Sequence, residues 1–125
     1  MRVTKLIREY VEKNVNAVYE PKIKAIGVEY QERKETLNKQ LDDLIEQANA
    51  SAKKMIADAG FEIRYNRDYF IYSYGGVYIK KLEDEIGAKR NALYAEMQEK
   101  INDILLNLEL GATRAELDEM IKNLA

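Results

Sequence analysis

Apolar side chains at Val3, Leu6, Ile7, Tyr10, Val11, Val15 and Val18 recur every three or four positions, the spacing of one helix face over 2–19. The valines lower intrinsic helix propensity, so this face needs a surface to lie on. Pro21 is expected to end or kink that helix, because its ring fixes φ and disfavours helical backbone at residue 20. From 22 to 59 nothing breaks a helix except Gly27. Ile23, Tyr30, Leu37 and Leu44 repeat every seven residues, and Leu41, Ala48 and Met55 follow the same schedule four residues behind. The intervening positions are mainly Glu, Lys, Gln, Arg and Asp, so the pattern is a heptad seam. At about 1.5 Å per residue such a helix is roughly 57 Å long, the dimension of a coiled-coil limb. Gly60 supplies its stop.

The pattern then changes period. Phe61 to Asn66 alternates in twos, as does Tyr69 to Tyr74, and Gly75-Gly76 is followed by Val77-Tyr78-Ile79-Lys80. Aromatic and β-branched residues around two glycines predict a β-hairpin over 69–79. With a turn at Asn66-Arg67-Asp68 the unit becomes a three-stranded meander. Helical spacing resumes at Leu82, Ile86, Leu93, Met97, Ile101, Ile104, Leu105 and Leu108, and Gly111 closes this helix. Thr113 and Glu116 have the spacing of a capping box, ahead of a short helix with Leu117, Met120, Ile121 and Leu124 on one face. The expected fold is mainly α and a single domain over 1–125. Its parts are a long antiparallel helical hairpin (a coiled coil), a small β-hairpin or meander at the tip over 61–80, and short terminal helices at 1–20 and 112–125. Two helices alone bury too little to be stable, so either the terminal helices fold onto the stalk or another copy of the chain does, and a homo-oligomer is the favoured expectation.

Composition narrows the chemistry. The 125 residues include no Cys and no His, which removes disulfides, thiolate nucleophiles, the usual zinc ligands and the commonest general base. Net charge is −2, too balanced to imply a nucleic-acid or anionic-membrane partner from bulk charge. Neither a signal peptide nor a transmembrane stretch is legible, and cytoplasmic location is the expectation. Carboxylates are abundant at Asp42, Asp43, Glu83, Asp84, Glu85, Glu116, Asp118 and Glu119, but they lie on predicted solvent faces, whereas a carboxylate catalyst needs burial to shift its pKa. No calcium loop or phosphate loop is present: Gly75-Gly76 is the one glycine pair, and no Gly-Lys-Thr or Gly-Lys-Ser follows it. The expectation is a protein that is not an enzyme and uses no metal or cofactor.

The distinctive segment is 61–81. It holds five of the nine tyrosines and both phenylalanines, with four basic residues against two acidic ones. The candidate contact residues are Arg64, Tyr65, Arg67, Tyr69, Tyr72, Tyr74, Tyr78 and Lys80. A small ribbon cannot bury both its faces, and three readings follow. The tyrosines cover the ribbon itself while their hydroxyls stay wet. Alternatively they form a protein-binding or self-association surface, since Tyr and Arg are enriched at interface hot spots. In the third reading the rings stack on bases while Arg64, Arg67, Lys80 and Lys81 meet phosphates, giving a nucleotide or single-stranded nucleic-acid site.

Two resemblances add expectations. The helix–hairpin–helix order from about 22 to 110 resembles the β-type prefoldin subunit, which implies assembly through the hairpins and capture of unfolded clients. The short chain rich in Lys, Glu, Asn, Ile and Tyr also looks like the small accessory proteins of phages and prophages. Its opening Met1-Arg2-Val3-Thr4-Lys5-Leu6-Ile7-Arg8-Glu9 and its closing stretch from Leu108 to Leu117 carry that resemblance. This second likeness implies an inhibitor acting in a host cytoplasm, by binding a host protein or sequestering a nucleotide signal.

Overall fold

A computed structural model describes residues 1–64 and 76–124. The described residues are mainly helical and contain no strand. Three helices follow one another: α1, Lys5–Asp58; α2, Gly76–Glu109; and α3, Arg114–Lys122. Two compact units share them. One comprises Met1–Glu29 with Glu85–Ala125, and the other Tyr30–Asp84.

The first correction concerns Pro21. It does not end a helix; the expected terminal helix and limb are one helix of 54 residues with Pro21 inside it. An interior proline removes one hydrogen bond and strains the preceding turn, at a cost of about 3 kcal/mol. Pro21 and Ala17, whose carbonyl loses its usual partner, are both on the outer side of the helix; Pro21 is exposed, so water can reach the freed oxygen. On the opposite side Val11, Val15 and Tyr19 are buried before the proline and Ile23 packs against the same core after it. Each fully buried aliphatic side chain contributes about 1.5–3 kcal/mol, enough to hold the helix together across the defect.

In the first unit the beginning of α1, the end of α2 and α3 enclose one core of Val11, Val15, Tyr19, Ile101, Ile104, Leu105, Leu108 and Leu117. Tyr19 meets Glu96, Glu29 meets Lys89, and the Met1 nitrogen donates to the Leu108 carbonyl, so the two helix segments run antiparallel here. α2 stops at Gly111, whose φ is +111°; Gly111 N–H donates to Leu108 and Ala112 N–H to Asn107, the paired bonds of a Schellman end. Thr113 caps α3 as expected. Its Oγ accepts from Glu116 N–H at 3.2 Å and its hydroxyl donates to the Glu116 carboxylate. Leu117 is fully buried beneath that cap.

In the second unit the rest of α1 turns a stripe of Tyr30, Lys34, Leu37, Leu41, Ile45, Ala52 and Ile56 partly away from solvent, with Asn49 buried among these positions. That stripe advances in threes and fours with more fours than a heptad allows. The predicted seam therefore holds only in part: Tyr30, Leu37 and Leu41 are half-buried, while Leu44, Ala48 and Met55 are exposed. A straight helix drifts about 20° per heptad, so a strict seven-residue repeat and the covered face part company. Gly60 ends α1 as expected, with φ +88° and Phe61 N–H returning to the Ile56 carbonyl.

The second correction is Val77–Lys80. These residues form the first turn of α2 and are not a strand, and Gly76 heads that helix with φ +48°. Ile79 is half-buried, Leu82 and Ile86 are buried, and their three-and-four spacing belongs to a helix face. The expected first strand has no regular structure over residues 61–64. The remainder of the expected hairpin or meander, 65–75, lies outside the described residues. No helix among the described residues is long and apolar enough to cross a membrane.

Candidate functional site

The expected contact segment is described at its two ends. Phe61 leaves the α1 stop 72% exposed, and Tyr78 stands in the first turn of α2 at 69%. Val77 and Lys80 are exposed beside it. Arg64 pairs with Glu62 at 3.3 Å, both side chains more than four-fifths in solvent, so the guanidinium remains available to other acceptors. Such an exposed pair is held weakly. Tyr65, Arg67, Tyr69, Tyr72 and Tyr74 lie outside the described residues. Of the eight expected contact residues the structure therefore places Arg64, Tyr78 and Lys80, all on the surface of the second unit.

The tyrosines on the helices behave differently. Tyr10 donates its hydroxyl to Asp118 at 3.3 Å while the Arg114 guanidinium lies over its ring at 4.5 Å and also pairs with Asp118. Tyr19 donates to Glu96 at 2.9 Å beneath Lys22. Tyr30 donates to Glu83 at 3.3 Å beneath Lys34. Each ring is thus fastened twice, by a cation on its face and a carboxylate on a facing helix. Sequence spacing places Tyr10 and Tyr30 on apolar faces; the recurring Tyr with a cation three or four residues away on the same helix (Tyr19 with Lys22, Tyr30 with Lys34) is the signal that could have shown the clamps. Burial pushes the Tyr19 phenol above its ordinary value of 10, and the Glu96 hydrogen bond with the Glu96 and Glu99 charges pushes the same way.

A concavity belongs to the first unit. Asn16, Glu20, Ile23, Lys24, Tyr94 and Met97 line an open groove of about 650 Å³. Its lining mixes one acid, one base and two apolar side chains, and no buried polar group lines it. Tyr94 is 46% exposed there. Asn14 is half-buried and donates its amide to the Tyr10 carbonyl, whereas Asn91 is exposed.

The carboxylates singled out from the sequence are all exposed. No group of three or more of them among the described residues stands close enough to hold a metal ion. Glu29 and Glu85 both reach Lys89, at 2.8 and 3.8 Å, which ties α1 to α2 in the first unit. No protein family, curated protein or solved structure matches the chain.

Proposed function

We propose that this chain is a non-enzymatic binding protein that captures a protein partner through the aromatic and basic segment 61–80. The observation that carries this reading is the exposure of Phe61, Val77 and Tyr78 at both ends of that segment, next to Arg64, Lys80 and Lys81. Large apolar side chains left in water near flexible cationic groups are the composition of an interface centre and its rim. Tyr10, Tyr19 and Tyr30 support it by contrast, since their hydroxyls and ring faces are already engaged within the fold. The phage-type resemblance makes the partner a host protein.

The test is a chain carrying Phe61→Ala, Arg64→Ala, Tyr72→Ala and Tyr78→Ala. Capture of the host protein recovered with the parent chain is expected to disappear while helicity by circular dichroism stays at the parent level. Undiminished capture overturns the assignment. A rise in melting temperature with a nucleotide, lost in the same variant, would replace the protein partner with a nucleotide. Suppression of aggregation of an unfolded client, also lost in the variant, would replace it with prefoldin-like client binding.

A further inference from the structure

We propose that α1 and α2 flex together at Gly27 and Gly87, a paired hinge where the first unit gives way to the second. Glycine is the poorest helix former after proline, because its backbone has the most freedom to lose. Each of these glycines nevertheless lies well inside a long helix, and both are half-buried. A close approach does not explain them: a methyl group at either position would meet no atom within 4 Å beyond its own helix. Neither does a turn, since they lack the positive φ of Gly60, Gly76 and Gly111.

Their placement does explain them. Tyr19 stands across from Glu96 and Glu29 across from Lys89, so the antiparallel register sets Gly27 within about one turn of the level of Gly87. The first unit stops at this level on both helices, at Glu29 just after Gly27 and at Glu85 just before Gly87. Its core stops short of there. Ile23 and Leu93 are the outermost members, and the next large apolar side chains, Ile26 on α1 and Ile86 on α2, stand outside it. Over this stretch Lys89 pairs with Glu29 at 2.8 Å and with Glu85 at 3.8 Å, through side chains more than a third in solvent. Ion pairs in water hold weakly and tolerate a change of angle. Two unbraced backbones at one level, where the core has run out, are the makings of a hinge. Pro21, the other irregular residue of α1, has no counterpart on α2, and the core holds Tyr19 and Ile23 on either side of it. Flexing at the glycines lets the exposed Phe61 and Tyr78 of the second unit meet a partner at more than one angle, and it does not depend on what 61–80 captures.

The chain has no Cys, so pairs of spin labels can be attached at introduced thiols. Labels at Lys24→Cys and Glu46→Cys span Gly27 and leave Pro21 outside. Labels at Glu32→Cys and Lys54→Cys span an equal length of α1, roughly 33 Å at 1.5 Å per residue, with no glycine between them. All four positions are exposed. In the otherwise unchanged chain, pulsed dipolar spectroscopy should give a wider distance distribution for the first pair than for the second. Adding Gly27→Ala and Gly87→Ala should remove that excess width. The same two alanines, without labels, should raise the melting temperature by several degrees, since alanine suits a helix interior and nothing obstructs its methyl group. Equal widths for the two label pairs overturn the proposal, as does an excess width that survives both alanines. A lowered melting temperature would show that packing requires the glycines, and overturns it as well.

Discussion

The two halves of α1 obey one hydrophobic pattern and meet different fates. Before Glu29 the apolar face is sealed by α2 and α3, with Val11 and Val15 excluded from water altogether. After Tyr30 the most buried position is a polar one, Asn49, and Leu44 and Met55 remain bare. Amphipathic spacing says that a helix has a face to hide; it does not say that the same chain will hide it. The first half has its apolar face sealed within the fold, and the second leaves part of its own in water.

The sharpest break between the halves is expected from core truncation. Leu108→Ala removes a fully buried side chain from the first unit and should lower unfolding free energy by about 2–5 kcal/mol. Leu44→Ala, at a largely exposed position, should stay within about 0.5 kcal/mol. Chemical denaturation distinguishes them, and similar losses would mean that the second half is sealed as well.

Pro21 comes next in size. Pro21→Ala restores a helix hydrogen bond within the continuous α1 and should raise stability by roughly 2–3 kcal/mol. An unchanged or lowered melting temperature would show that the proline shapes the turn on which the Val15–Tyr19–Ile23 face depends.

The smallest effect sharpens the view of the sealed half. Tyr19 has a folded-state pKa raised above its unfolded value of 10, so its contribution is complete below pH 10 and is lost as pH rises further. The folded chain holds that proton when the unfolded chain has released it, and stability falls with pH in this window. Tyr19→Phe keeps the ring and removes the hydroxyl, at a cost of about 1 kcal/mol near neutral pH. It should also flatten the decline of melting temperature between about pH 9 and 11. An equally steep decline in the variant would assign the alkaline loss to other groups.

The candidate contact segment shows where sequence reasoning succeeds and where it stops. Exposure of Arg64, Tyr78 and Lys80 agrees with a surface role, and the clustering of aromatic and basic residues is visible in composition. The strand assignment of Val77–Lys80 fails. β-Branched and aromatic propensity amounts to a fraction of a kcal/mol per residue, and burial of the helix face that continues through Ile79, Leu82 and Ile86 outweighs it. The clamps on Tyr10, Tyr19 and Tyr30 are equally hard to read from the chain, because Asp118, Glu96 and Glu83 are far away along it.

By itself the sequence determined the helical class, the stops at Gly60 and Gly111, and the Thr113 cap with Leu117 beneath it. All of these are settled by bonds and contacts within about six residues, which a linear pattern contains. The tertiary structure alone decided that α1 runs through Pro21, that α2 begins at Gly76, and that the heptad face is covered in one half and bare in the other. Those outcomes weigh a local cost of a few kcal/mol against burial by residues distant in sequence, and only the folded arrangement brings both sides of that balance together.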